Sequence, residues 1–467
     1  MTDKSSYTIR VIRAGEKNNE ISPTFCLAKW KNVSMNLTSG FTHSCYHPPE
    51  HKIPLEELSV NYTALHNTEE KKAERAKMLK GERPAGCSYC WNIEDSPGNH
   101  TSDRSYRTAD IMEEYSHAEI VSNPDPANFD VIPSYVEVNF SSVCNFKCSY
   151  CSPHLSNSWQ KEIEKFGPYP TTVPHNSVDY FKQIGMMPIP AREDNPYVEA
   201  FWKWWPELYT QLKHFRMTGG EPLLDVNTHK VLDYVIDNPK GDLHLAITSN
   251  FCVDPKLMDK FYNKISRITQ EGSLGHFMLY ISCDAYGKKA EYIRNGMDFD
   301  YLVNNVDHYL ENYYQRSSIT FIVTVNLMSI TSLRDLIDKF ILEMNRRHPR
   351  DRQLVWFDVP MLNFPAWQTV QILPARYREI LRADIEYFKE RMSNEFTDIH
   401  DFQVAKLERI LSWMEQGDTL PAEKIKRDRA DFYKFFTEHD KRRGTNFLET
   451  FPEMEDFWQL AKDAADE

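Results

Sequence analysis

The hydrophobic positions of this chain fall into three regimes. Between residues 131 and 360, short apolar runs alternate with longer stretches whose apolar residues recur every three or four positions. The runs at 134–140, 214–218, 243–250, 276–283, 318–326 and 353–359 read as strands. The stretches at 155–166, 197–212, 226–237, 254–267, 298–312 and 331–346 read as helices. Strand–helix alternation with continuously apolar strands predicts a parallel sheet with helices outside. Six such units, as opposed to eight, predict an open, partial barrel over residues 131–370. A Pro-rich segment at 167–196 reads as an insertion.

Residues 371–467 keep only the helical period, at 374–393, 402–417, 422–438 and 451–464, and read as a helical cap. Residues 1–130 show one clear helix pattern, at about 66–80, and are rich in Pro, Asn, His and Ser. A small, loop-rich domain of this kind needs a staple. In "FWKWWPELY" (201–209), Trp202 and Trp205 are expected on one buried helical face.

Composition narrows the function classes. A chain of 467 residues implies two or three domains. The net charge of −13 argues against nucleic acid as the main partner. The chain has no run of 18 apolar residues, and its N-terminus is polar with no apolar signal core. Both features lead to the expectation of a cytoplasmic protein without a membrane span. In a reducing compartment, nine cysteines serve more often as metal ligands or nucleophiles than as disulfides.

Seven of those cysteines form two sets. Cys144, Cys148 and Cys151 are spaced C-x3-C-x2-C on a loop that leaves the first predicted strand. A structural zinc site takes four ligands, and so does a closed [4Fe–4S] cluster. Three thiolates therefore leave one position of a cluster open; His154 is the candidate fourth ligand of a zinc site. Cys26, Cys45, Cys87 and Cys90, spaced C-x18-C-x41-C-x2-C, suit a closed site for either zinc or an iron–sulfur cluster.

The three-cysteine spacing at the end of strand one, with "MTGGEP" (217–222) at the end of strand two, resembles the radical S-adenosylmethionine (SAM) superfamily. The resemblance implies a partial (β/α)6 barrel and a [4Fe–4S] cluster on Cys144, Cys148 and Cys151 that binds SAM. It implies that Tyr150 packs near the adenine and that Gly219, Gly220 and Glu221 bind the methionyl amino group. Glycines permit close backbone approach, and a carboxylate beside an ammonium makes a charge-assisted pair. "ISCDAYGKKAEYIRNG" (281–296) resembles a further stretch of peptide-modifying members, with Ala285 where the family often has Gly. It implies Ser282 and Asp284 at the SAM ribose and Arg294 at the SAM carboxylate, with Cys283 facing the core. Asn250 either approaches SAM or caps a turn.

The N-terminal four-cysteine stretch resembles the twitch module, the shortened relative of the SPASM domain, here placed before the barrel. The resemblance implies a second, auxiliary [4Fe–4S] cluster on Cys26, Cys45, Cys87 and Cys90 within residues 1–130. His43 and His47 are alternative ligands or packing groups, and Trp30 and Trp91 are expected to shield the site. As a whole the resemblance implies reductive cleavage of SAM to a 5′-deoxyadenosyl radical that abstracts hydrogen from a substrate. An electron donor such as flavodoxin or ferredoxin is implied. A peptide or protein side chain is the expected substrate. A small molecule (sugar, aminocyclitol or nucleotide) is the alternative, and a non-catalytic zinc protein a third reading.

Overall fold

The computed structural model describes residues 6–467 except 99, 174–175, 191–192, 394 and 396. The strands are β1 (Asn32–Asn36), β2 (Phe41–His43), β3 (His51–Lys52), β4 (Tyr135–Asn139), β5 (Lys147–Cys148), β6 (His214–Thr218), β7 (Lys240–Ser249), β8 (Leu274–Ser282), β9 (Arg294–Asn295), β10 (Ser317–Ile322) and β11 (Val355–Asp358). The six strands expected between 131 and 360 are β4, β6, β7, β8, β10 and β11, with ends moved by a few residues. The chain is an α/β protein in which parallel pairing predominates.

The chain packs into two compact units. One holds the residues up to Ser141, with Ile189–Thr218 and Asp242–Leu245; the other holds Ser142–Pro188, Gly219–Gly241 and Ala246–Glu467. These limits differ from the three segments read from sequence. Of the expected insertion at 167–196, residues 174–175 and 191–192 lie outside the described residues; a short helix, Val178–Gln183, forms in its middle.

In the first unit the strand order is β3-β2-β1-β4-β6, continued by residues 242–245 of β7. β1 pairs parallel with β4, and β4 with β6, while β1, β2 and β3 are joined antiparallel. This region is less loop-like than its sequence suggests. A helix, Ser6–Ile21, lies along Asp103–Ile111, with Tyr7 donating to Asp110 at 2.9 Å and Asn18 to Thr108 at 3.0 Å. Its buried stripe is narrow, mainly Val11, Ala14 and Asn18, so the apolar period is weak in the sequence. The expected helix at 66–80 is Glu69–Leu79, started by Thr68, whose hydroxyl accepts from the Lys71 N–H.

The helix Pro196–Gln211 is capped by Asn195, which accepts from the N–H groups of Tyr197 and Val198. Its fully buried face is Phe201, Trp204, Trp205 and Leu208. The expectation for Trp202 is corrected: it is half-buried, and Trp204 takes the core place beside Trp205. Positions i, i+3, i+4 and i+7 from Phe201 define that stripe, and Trp202 falls one step off it.

In the second unit the order is β7-β8-β10-β11, with β8–β10 and β10–β11 parallel. Leu279, Ile281, Ile319 and Phe321 are fully buried. The C-terminal helices are Arg376–Lys389, Asp401–Glu415, Ala422–Arg443 and Glu455–Asp466. The last two pack on each other through buried Phe432 and Phe457, whose ring centroids are 5.0 Å apart. Among the described residues, no helix is long and apolar enough to cross a membrane.

Candidate functional site

The cysteine loop begins where β4 ends and its backbone is pinned at each cysteine. The backbone N–H of Cys144 donates to Asn157 Oδ1 at 3.0 Å, and Ser158 Oγ donates to the Cys144 carbonyl at 2.5 Å. Phe146 N–H points at Cys144 Sγ, 3.4 Å away, an arrangement that favours a thiolate. Cys148 lies on β5, which pairs antiparallel with β9 so that Cys148 sits opposite Arg294. A tight turn, Cys151 N–H to Cys148 O at 2.9 Å, brings the third cysteine back.

Arg294 is the charge centre of this loop. Its Nη1 is 3.5 Å from Cys148 Sγ, and its Nε and Nη2 lie 2.8 and 3.0 Å from the carboxylate of Asp284. Tyr150 donates its hydroxyl to Asp284 at 2.7 Å, and its ring lies 5.7 Å from the guanidinium. The Thr324 N–H is a further donor to Asp284, at 2.9 Å. Asp284 and Arg294 are both buried. Burial alone would lower the Arg294 pKa, but Asp284, Tyr150 and Cys148 hold it well above its ordinary value. Burial raises the thiols. Cys144 is pushed to about 12 with Cys148 beside it, and Cys151 rises with Cys148 and Cys144 as neighbours. Each of these two thiols is thus raised further by the other cysteines of the loop, in a site that resists charge until a cation neutralises it.

The GGEP turn closes against the same loop. Glu221 N–H donates to Val143 O at 2.7 Å. The Glu221 carboxylate is buried and accepts from Leu223 N–H, Ser249 Oγ and Asn250 N–H at 3.0, 2.8 and 2.6 Å. Burial raises its pKa to about 7 despite those donors. Gly219 has φ of +129°, a conformation that suits glycine. Asn250 caps the turn after β7 by accepting from Cys252 N–H at 2.9 Å, and its amide donates to Asn145 at 2.8 Å. Ser282 ends β8, half-buried, two residues before Asp284. Cys283 is fully buried, as expected of a core residue. His154 bonds Ser152 at 2.8 Å and lies tilted against the Phe181 ring, 4.0 Å between centroids.

No family model matches the chain. Over 123 residues it is 24% identical to a GTP 3′,8-cyclase of Sulfurimonas denitrificans, a match covering 26% of this chain and 29% of the cyclase. A GTP 3′,8-cyclase of Sulfurovum sp. is 25% identical over 126 residues, covering 27% and 29%. The chain spans less than a third of the length of the curated relatives it matches. The crystal structure of Streptococcus suis SuiB bound to S-adenosylmethionine overlays at a TM-score of 0.35 and 14% identity, over 78% of this chain and 70% of SuiB.

The residues that the radical SAM resemblance picks out between 144 and 294 all lie in the second unit. Two of its assignments look different in three dimensions. Asp284 and Arg294, assigned to separate parts of SAM, are each other's partners. Glu221 already accepts three donors. Residues that sequence reasoning missed tie the loop down: Asn157, the Asn145 bridge to Asn250 and Cys252, and Gln368, which exchanges two hydrogen bonds with Ser149 at 2.9 and 3.0 Å. The Asn inside "CNFKC" was the one available signal.

In the first unit, Cys26, Cys45, Cys87 and Cys90 line one cavity together with Trp91, Lys29 and Arg104. The β1–β2 hairpin lies between Cys26 and Cys45 in the chain. Cys26 is pushed to about 12 by burial, with the other three thiols as neighbours. Among the described residues, no three His, Cys, Asp or Glu side chains converge as on a single ion, so neither the four thiols of this cavity nor the three of the 144–151 loop form a tight chelate. His47 is 2.6 Å from Asp103 and stacks on Tyr89, so a carboxylate and a ring occupy it. Trp30 is fully buried beside Phe25, with ring centroids 4.6 Å apart.

Proposed function

We propose that this chain is a radical SAM enzyme with a partial (β/α)6 barrel. In this reading Cys144, Cys148 and Cys151 hold a [4Fe–4S] cluster that binds SAM. The observation that carries it is the three-thiol loop with its buried Arg294–Asp284–Tyr150 network, opposite the GGEP turn. The chemistry of the donor set fits the group: one loop carries three thiols, and an N–H aimed at Cys144 and a fixed guanidinium at Cys148 would offset the charge of a thiolate-ligated cluster. When bound, cluster and SAM supply one-electron chemistry that takes hydrogen from an unactivated C–H bond. The chain's own residues position and shield. Arg294 orients Asp284, Tyr150 completes that pair, and Glu221 fixes the turn after β6 to the end of β7.

Residues 1–130 act in this proposal as a twitch-like module, with Cys26, Cys45, Cys87 and Cys90 holding an auxiliary [4Fe–4S] cluster. The shared cavity and the hairpin between the first two cysteines favour it. The substrate proposed first is a peptide or protein side chain, as the resemblance implies. A small-molecule substrate is the second reading, favoured by the cyclase matches, whose name denotes a nucleotide. An electron donor of the flavodoxin or ferredoxin type is required by either. The test is 5′-deoxyadenosine release by anaerobically reconstituted, reduced protein given SAM and a size-fractionated lysate of the source organism. Stimulated release that Cys148→Ala abolishes supports the enzyme. Protease sensitivity of the active fraction selects the peptide reading. No release at all, even uncoupled, overturns the proposal.

A further inference from the structure

The C-terminal helices carry no recognisable motif, yet the last turn of one of them reaches the cysteine loop by two routes. The first runs through Glu162, on the helix Asn157–Phe166 that follows the loop. Its buried carboxylate lies 3.1 Å from Arg443 Nη2 and 3.9 Å from Arg442 Nη1, both at the end of the helix Ala422–Arg443. The same carboxylate accepts Lys147 Nζ at 2.8 Å and the Tyr169 hydroxyl at 2.6 Å. Lys147 immediately precedes Cys148. Arg443 also donates to the Tyr169 oxygen at 2.6 Å, and Arg442 to the Gly167 carbonyl at 3.0 Å. The Arg443 guanidinium lies 5.3 Å from the ring of Trp159, whose indole N–H donates to the Cys148 carbonyl at 3.0 Å.

The second route starts one turn back. Asp440 accepts the Tyr292 hydroxyl at 2.7 Å and the Phe447 N–H at 2.8 Å. Tyr292 stands two residues before Arg294, the residue of β9 that pairs with Cys148. The helix end therefore reaches the β5–β9 ribbon at Lys147 of β5, through Glu162, and at Tyr292, in the short helix Lys288–Ile293 that leads into β9. Side chains of Glu162, Arg442 and Arg443 are each no more than 4% exposed. Buried ions of this kind are costly unless held in one geometry, which makes them registers more than glue.

We infer that Arg443 and Asp440 are positioning residues for the cysteine loop: the end of the helix Ala422–Arg443 sets the placement of Lys147 and Cys148, and with it the group the three thiols hold. The inference rests on the three-cysteine cluster reading. It is tested on full-length protein with Arg443→Met and Asp440→Asn, and with Lys426→Ala as a control on the same helix, where an exposed pair with Glu467 is removed. In the apo protein, maleimide labelling of Cys144, Cys148 and Cys151 is followed by mass spectrometry. In the reconstituted protein, iron affinity against a chelator and the EPR spectrum of the reduced cluster are measured.

Faster labelling in R443M and D440N, iron affinity lower by about 10-fold or more, and a shifted EPR spectrum are expected, since partners of ligand residues typically carry that much affinity. K426A matches the wild type in all three. Labelling rates, affinity and spectra in R443M and D440N that superimpose on the wild type overturn the inference. If R443M does not fold, the double variant E162Q/R443M, which removes both buried charges, replaces it under the same criteria. A wild type that takes up no iron on the three cysteines overturns the cluster reading instead, and the apo labelling rates still decide whether the helix end holds the loop.

Discussion

Gly220 offers the sharpest test of how the GGEP turn works. A Cβ built there meets Val143 O at 2.4 Å and the carbonyl carbons of Ser142 and Val143 at 2.8 Å. All three atoms are backbone, one residue or two ahead of Cys144, so no side chain can swing aside. The shortest approach is well inside the closest distance that Cβ atoms adopt. The Glu221 N–H to Val143 O bond, 2.7 Å, holds the two segments together at the same point. Gly220→Ala must therefore push the turn and the loop apart. Overpacking against atoms that cannot relax costs about 1–3 kcal/mol, and loss of that bond about 1 kcal/mol more. Gly241→Ala is the internal control, because a Cβ there meets nothing within 4 Å; it should stay within about 0.5 kcal/mol. Urea unfolding of the apo proteins measures the difference, and iron uptake by the three-cysteine site reports whether the displaced loop still binds. A G220A protein as stable as G241A, with undiminished iron, would refute the argument that close backbone approach is the reason for glycine here.

Removing the Arg294 charge in Arg294→Met should destabilise the apo protein by about 3–5 kcal/mol, because Asp284 is left buried and uncompensated; a loss under about 1 kcal/mol in urea melts contradicts it. His439 is fully buried, which lowers its pKa from 6.5 to about 4. The unfolded chain therefore binds a proton first, and stability contributed by the neutral ring, about 3 kcal/mol, is present above pH 6.5 and lost as pH falls toward 4. His439→Phe should flatten that part of the acid limb of stability against pH, and an unchanged slope tells against it. Reconstituted wild type should hold about eight irons, and Cys90→Ala about four, if both cysteine sets carry [4Fe–4S] clusters. Four irons and one zinc in the wild type would remove the auxiliary cluster and leave the first.

Much of the strand framework was legible because short apolar segments with buried residues two apart are bounded by polar turns. Phe215, Met217, Leu245, Ile247, Leu279 and Ile281 lie in such runs, and all are fully buried. The helix Val226–Asp237 has the very limits its period suggested. β1 was not legible. "NVSMN" buries its first four residues on both faces, Asn32 and Ser34 included, so neither alternation nor a continuous apolar run marks it. The helix Ser6–Ile21 hid for the opposite reason, a core stripe too thin to register. At the site, the cysteines and glycines were legible because their chemistry demands those residue types at those spacings. What each charged group pairs with was not. Arg294 and Asp284 are ten residues apart, and only the fold of the ribbon and of the β8 end brings them together. The same holds for Arg443 and Glu162, which no local pattern links.

The parallel pairing of β1 with β4 gives the N-terminal region a second duty. Along Tyr135–Asn139, β4 has β6 on one side and β1 on the other, with Leu37 and Lys31 completing the ladder to Asn139 and Ser134. A chain cut to begin at residue 131 would bare that flank: a row of unsatisfied amides and carbonyls beside Val136 and Val138, with Pro133 ahead of the strand and Glu137 within it as its guards. Exposed edges of this sort recruit other strands. Such a truncation should lose more than four thiols; it should turn a covered strand into a template for self-association. Whatever the N-terminal cysteines bind, the segment that carries them is also the guard of the strand that delivers Cys144.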